Sequence, residues 1–242
     1  MSKLKANIWG THAVKAAWTN TNRTIQAIYV TENAYRDFAS FQAVQGVKRP
    51  APTSVSKKEL DKITGGAVHQ GIAVMAEALP EVFLSDVTIQ AEQAKKSVLL
   101  ILDQVTDPHN VGAILRSACA FGACGMILQR KHAPGMDGVL AKTACGALEH
   151  VPVVFETNLS RAIEQLQEQG WMVIGLDERG EKEISDVKDH KKIALVMGAE
   201  GPGLRPNVAG HCDLLARLEM TGPMPSINVS NAAAIALYAL RS

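Results

Sequence analysis

Apolar and polar positions along the chain fall into two regions of short apolar runs separated by amphipathic stretches. In the first region, Ile25-Gln26-Ala27-Ile28-Tyr29-Val30 reads as a strand and residues 71–75 as another. Between them, Ser56-Lys57-Lys58-Glu59 has the Ser-x-x-Glu form of a capping box, which predicts a short helix that Gly65-Gly66 breaks. From about 79 to 96 the periodicity is lost: Pro80 is followed by a polar stretch rich in Gln and Glu. A domain boundary is placed there, giving an N-terminal domain of residues 1–78, a linker of 79–96 and a C-terminal domain of 97–242.

The second region alternates more regularly. Residues 98–102 are continuously apolar, as in a strand buried on both faces. Pro108 stands at a favoured helix start, Val111, Ile114, Leu115 and Ala118 recur at helical spacing, and Gly122 ends the helix. Apolar runs at 126–128, 151–154, 171–174 and 193–197 read as further strands. Residues 159–169 read as a helix closed by Gly170, and an Ala-rich helix runs from about 228 to 240. Such alternation predicts an α/β fold, a mostly parallel sheet with helices on both faces. There is no internal repeat.

Composition narrows the class. The chain has 242 residues, 47% apolar and 20% charged, enough to bury a sizeable core and unlike a disordered chain. No apolar run reaches the roughly 20 residues of a membrane helix, and Met1-Ser2-Lys3-Leu4-Lys5-Ala6-Asn7 has no hydrophobic signal core, so a cytoplasmic protein without membrane contact is expected. The four cysteines (Cys119, Cys124, Cys145 and Cys212) form no Cys-x-x-Cys pair and are read as buried thiols; no metal is expected. The net charge of +1 is unevenly spread. Up to residue 80 there are ten basic and five acidic residues, leaving −4 for the remainder, which suggests an anionic partner met by the N-terminal part.

Three polar clusters follow apolar runs, where open α/β sheets bind ligands. The first is Asp103-Gln104-Val105-Thr106-Asp107-Pro108-His109-Asn110-Val111-Gly112, continuing to Arg116, around a helix N-terminus suited to anions. The second, Gly198-Ala199-Glu200-Gly201-Pro202-Gly203, is a glycine-rich turn holding one acid; its spacing is neither that of a dinucleotide fingerprint nor that of a P-loop. The third runs from Met220 to Asn231 and carries Ser226, Asn228, Ser230 and Asn231 ahead of the last helix, four candidate caps where one would serve.

In this order and spacing, the clusters resemble the three motifs of the SpoU-type (TrmH) RNA 2′-O-ribose methyltransferases of the SPOUT superfamily. Ala144-Cys145-Gly146-Ala147-Leu148-Glu149-His150-Val151-Pro152 also resembles that family, and Gly66-Ala67-Val68-His69-Gln70-Gly71 is similar to its two-domain subgroup acting on ribosomal RNA. The resemblance implies a small N-terminal α/β substrate-binding domain like a ribosomal protein, and a C-terminal SPOUT domain with a deep trefoil knot. It also implies a homodimer, S-adenosylmethionine as cofactor and RNA as substrate, ribosomal RNA rather than transfer RNA.

Carried over position by position, the catalytic residues are Asn110, Arg116, Glu200, Ser226 and Asn228. Gly198, Leu218, Met220 and Ile227 would contact the cofactor. Arg116 is read as a phosphate clamp and polariser of the hydroxyl, because a guanidinium stays protonated. Asn110 and Asn228 would fix the ribose and the motif geometry, with Glu200 anchoring Asn110 or Arg116. Two positions depart from the family's usual pattern: Ile227 where Leu is usual, and Leu218-Glu219-Met220, read as the preceding strand, where Ile-Pro-Met is common. Two rival classes remain: a non-catalytic RNA-binding module, opposed by the presence of all five catalytic positions, and a nucleotide-dependent oxidoreductase, opposed by the lack of a glycine fingerprint after Leu102.

Overall fold

The structure, a computed structural model, describes residues 5–41, 46–224 and 226–241; Met1 to Leu4 and Pro225 of the third cluster lie outside the described residues. The chain divides into two compact units, Met1–Pro80 with Gly135–His150, and Glu81–Pro134 with Val151–Ser242.

The first unit is built on a four-stranded sheet of β1 (Ile8–Trp9), β2 (Ile25–Val30), β3 (Thr53–Ser54) and β4 (Ile72–Ala76) in the order β1-β4-β2-β3. The β4 strand is antiparallel to both neighbours, and β3 runs parallel to β2. Its helices are α1 (Thr11–Thr19), α2 (Glu32–Ala39) and α3 (Lys57–Ile63). The capping box forms as the sequence predicts: the Ser56 hydroxyl accepts from Glu59 N–H, and the Glu59 carboxylate accepts from Ser56 N–H at 2.8 Å.

In the second unit, α4 (Leu84–Glu92) precedes β5 (Ser97–Asp103), α5 (Pro108–Ala120) and β6 (Gly125–Gln129). The chain then passes through α6 (Gly138–Thr143), which belongs to the first unit, and returns as β7 (Val153–Glu156), α7 (Leu159–Glu168) and β8 (Met172–Leu176). It closes with β9 (Lys182–Glu183), β10 (Lys192–Gly198), α8 (Pro206–Ala209), β11 (Leu214–Arg217) and α9 (Val229–Leu240). These strands form one parallel seven-stranded sheet, β7-β6-β5-β10-β8-β11-β9. All seven residues of β5 are buried. Leu99 and Ile101 join Ala194 and Val196 of β10 in a core with α4, α7 and α8. The alternate residues, Leu100, Leu102, Leu195 and Met197, point to the other face, where α5 and α9 pack on the sheet. The α/β fold with a parallel sheet is the one expected from the pattern.

Three readings differ from the structure. Within 79–96, α4 buries Leu84, Val87, Thr88 and Ala91 in the second unit's core. Its apolar spacing is diluted by Ser85, Asp86, Thr88 and Gln90, and Asp86 caps the helix by accepting from Phe83 N–H at 2.9 Å. The strand before the third cluster is Leu214–Arg217, so residues 218–220 follow it rather than compose it. Of the four thiols, Cys145 is exposed. The other three are half-buried rather than buried, and desolvation pushes the Cys124 and Cys212 thiols up to about 12.

Candidate functional site

The sheet order determines what meets at its carboxyl edge. Strands β5 and β10 are neighbours in register, with Asp103 opposite Gly198, so the first and second clusters leave the sheet side by side. The third cluster follows β11, separated from β10 only by β8. Three segments distant in sequence therefore converge where a parallel sheet places its ligands.

Asp107 is the N-cap of α5, its carboxylate accepting from His109 N–H at 2.9 Å, with Pro108 opening the first turn. This start places Asn110 in the first turn, half-buried and facing the third cluster. Asn228 is the N-cap of α9: its Oδ1 accepts from Ser230 N–H at 2.9 Å. Its Nδ2 remains free of the cap and donates to Asn110 Oδ1 at 3.0 Å and to Glu200 Oε1. Glu200 Oε1 also accepts from Val229 N–H at 3.4 Å. One residue from each cluster thus joins a single hydrogen-bonded set, with the Glu200 carboxylate as its acceptor at the start of α9, where the helix dipole favours negative charge.

Arg116 and Ser226 stand apart from this set. Arg116 lies six residues beyond Asn110 on α5, about 9 Å along the axis, and is exposed with no hydrogen bond or ion pair to the described residues. Ser226 is likewise exposed without a partner among the described residues. Both side chains are open to solvent.

The four positions expected to contact the cofactor lie at the end of β10 and in the segments that follow β11. Gly198 ends β10 where the chain turns sharply back on itself: Gly203 N–H donates to Ala199 O at 3.0 Å, and a Cβ on Gly198 would lie 2.2 Å from the Gly203 carbonyl carbon. No residue with a side chain fits there. Leu218 is half-buried, while Met220 and Ile227 are exposed apolar side chains on irregular backbone. Half-exposed apolar side chains and an exposed carboxylate on these segments are groups that suit a ligand with both a flat apolar ring and charged groups. No group of three or more His, Cys, Asp or Glu arranged to hold a metal occurs among the described residues.

Two acids to which the sequence reading gave no role complete the edge. Asp103, fully buried, accepts from Arg205 N–H at 2.9 Å and Arg205 Nε at 2.7 Å, and so ties the end of β5 to the chain just past the glycine turn. Asp177 follows β8, between β10 and β11; hydrogen bonds from Arg179 hold its carboxyl below the usual carboxylate range. The available signal was the same in both cases, an acid terminating an apolar strand.

Comparison with known proteins places this geometry. Residues 97–238 match the model of the SpoU rRNA methylase family, and residues 7–82 match that of the RNA 2′-O ribose methyltransferase substrate-binding domain. The chain is 38% identical over 242 residues to the 23S rRNA (guanosine-2′-O-)-methyltransferase RlmB of Coxiella burnetii, covering 98% of this chain and 95% of that one. It is also 38% identical over 234 residues to an uncharacterised tRNA/rRNA methyltransferase of Synechocystis, covering 96% of this chain and 61% of that longer protein. In fold it is similar to the SpoU methyltransferase AviRb of Streptomyces viridochromogenes, solved in complex with AdoMet, with a TM-score of 0.76 at 20% identity over 96% of this chain and 88% of that one.

Proposed function

The chain belongs to the SpoU rRNA methylase family, and on that premise we propose that it transfers a methyl group from S-adenosylmethionine to a ribose 2′-hydroxyl, with a guanosine of large-subunit ribosomal RNA as the target. The observation that carries the reading is the set Asn110–Asn228–Glu200, three polar residues from three separate clusters held by hydrogen bonds at the carboxyl edge of a parallel sheet. The guanosine and the ribosomal RNA come from the RlmB relatives, which align over nearly their whole length. A transfer RNA target is the alternative.

The cofactor supplies an electrophilic methyl on a sulfonium, a good leaving group. The residues of this chain therefore have positioning as their main task. Gly198, Leu218, Met220 and Ile227 would hold it, the first by close backbone approach and the others by apolar contact with the adenine. Asn110 and Asn228 would fix the ribose, Glu200 keeping Asn228 in place. Exposed and without a partner among the described residues, Arg116 would clamp the phosphate beside the target and polarise the 2′-hydroxyl, its permanent charge excluding it as a base. The proton then passes to phosphate or water. Ser226 would complete the third cluster's contact with the substrate.

The close crossings at Gly198 and at Gly180, where a Cβ would lie 2.5 Å from the Ala216 carbonyl carbon, support the knotted path that the family resemblance implies. A homodimer is proposed from the apolar face that α9 leaves exposed. A cytoplasmic location follows from the ribosomal RNA target; no helix among the described residues is long and apolar enough to cross a membrane.

The test is transfer of radiolabelled methyl from S-adenosylmethionine to total RNA of a strain lacking the gene, comparing wild type with Arg116→Ala and Asn110→Ala. Expected is label in large-subunit ribosomal RNA at an alkali-resistant linkage, lost in both variants. Label in transfer RNA alone would move the target, and no label in any RNA would overturn the reading.

A further inference from the structure

The motif at 144–149 belongs to the methylase match by sequence, yet in space it is part of the first unit. Its residues each have an identifiable contact there. Gly146 adopts φ +95°, and a Cβ on it would lie 2.6 Å from Ala16 Cβ and 3.3 Å from His12 O, so only glycine lets this backbone lie against α1. The neighbouring Cys145 also has a positive φ, +50°. Ala147 and Leu148 are buried. Upstream, Gly138 N–H donates to Asn7 O at 2.6 Å, and the Gly138 backbone packs against the Trp9 ring.

Glu149 closes the segment. Its carboxylate side chain is 2% exposed and pairs with Arg23, 4% exposed, at 2.6 Å. Arg23 Nε donates to the same carboxylate at 3.1 Å, and Asn20 Nδ2 adds a bond at 2.7 Å. The rest of the Arg23 guanidinium reaches Glu77 O at 2.7 Å, and Arg49 in turn donates to Asn20 O at 2.7 Å and Trp18 O at 2.9 Å. Every charge in the network is satisfied, as a buried pair requires. Two of the ten basic residues behind the N-terminal charge excess, Arg23 and Arg49, are thus occupied in internal bonding rather than presented to a partner.

We infer that Gly135–His150 is a docking element that completes the substrate-binding unit, and that Glu149, through Arg23, is a positioning residue for RNA. The inference rests on the reading of the chain as an RNA methyltransferase. The segment leaves the second unit at Pro134 and returns to it at Val151, so the substrate-binding unit is joined to the catalytic unit by three chain passages instead of one. Opening the Arg23–Glu149 pair frees the segment and leaves a unit held by one tether. RNA bound to it is then held less firmly, and a loss of placement costs effective concentration of the target ribose.

The test uses the full-length protein with ribosomal RNA from a strain lacking the gene. Glu149→Gln keeps the shape and removes the charge; Arg23→Met/Glu149→Met removes the two charges of the pair together, leaving Asn20 Nδ2 and Glu77 O without these partners. For Glu149→Gln, the expected result is a KM for RNA raised at least about tenfold, a kcat and a calorimetric Kd for S-adenosylmethionine within about twofold of wild type, and loss of amide-exchange protection across 138–149. The double variant is expected to regain protection and KM. Unchanged protection in Glu149→Gln would overturn the docking role. Lost protection with an unchanged KM would overturn the positioning role, as would a weakened cofactor Kd with an unchanged KM. A wild type that methylates no RNA would instead defeat the functional reading and the positioning role with it, while amide protection would still decide the docking role.

Discussion

Asn228 shows how one side chain serves two purposes through its two ends. Its oxygen caps α9 and its nitrogen binds Asn110 and Glu200. The sequence offers four candidate caps before this helix, a surplus that points to a site, and the resemblance singles out Asn228 among them; that Asn228 is also the cap depends on a side-chain geometry no pattern records. The two functions separate by substitution. Asn228→Asp keeps a cap oxygen but replaces the donor with a second carboxylate facing Glu200. Thermal stability is then expected to change by less than about 1 kcal/mol, while the single-turnover methyl-transfer rate falls about 100-fold. Asn228→Ala should lose both the rate and about 1 kcal/mol of stability. A full rate in Asn228→Asp, measured by rapid quench with melting curves alongside, would refute the role given to this nitrogen. Arg116 and Ser226 stand in the polar clusters before any resemblance is drawn, but the roles expected of them come from the resemblance alone, since an exposed side chain without a partner among the described residues leaves no trace in periodicity.

Elements were legible where burial is one-sided or total. The strand β5 is apolar at every position because both its faces are covered, and α5 and α9 declare themselves by caps and helical spacing. The helix α4 was missed because three buried apolar positions, Leu84, Val87 and Ala91, among polar residues are a weak signal, supplied in the fold by the core they enter. The glycine turn after β10 was visible as composition but not as a constraint. Its glycines are unequal: Gly198 has backbone 2.2 Å from a notional Cβ, whereas Gly201, at φ +83°, has nothing within 4 Å. Gly201→Ala is therefore expected to cost about 1 kcal/mol through its left-handed backbone and to bind S-adenosylmethionine nearly as wild type does. Gly198→Ala must displace the Gly203 backbone, with an expected loss of cofactor affinity of at least about tenfold and of stability by several kcal/mol. Calorimetric titration and denaturant unfolding of the pair check this; equal behaviour of the two variants would mean that close approach at Gly198 does not shape the cofactor site.

At the scale of the whole molecule, the chain's linear order misleads in one respect: residues 135–150 lie in the methylase stretch of the sequence and in the substrate-binding unit of the fold. Sequence pattern assigns a segment to its neighbours along the chain, and only contacts such as Arg23–Glu149, 126 residues apart, reassign it. The last helix poses a comparable problem on the outside. Helix α9 is apolar almost throughout; Ala233, Ala236, Leu237 and Leu240 are buried, yet Ile235 is 48% exposed and Tyr238 53%. Tyr238 meets Phe121 edge-on at 5.9 Å, and Arg241 lies over its ring at 3.5 Å, so the exposed stripe is ordered. A ridge of this kind is costly to leave in water, which supports the proposed seam with a second copy. The protein is accordingly expected to sediment at twice its 25.9 kDa. Ile235→Glu places a charge in that seam and should shift the species to 25.9 kDa, with far-ultraviolet circular dichroism unchanged because the side chain contributes little to the core. If the dimer completes the site, methyl transfer falls with the dimer and returns at high protein concentration. A variant that stays dimeric, or a wild type that sediments as a monomer, would leave α9 exposed for some other reason and remove the seam from this face.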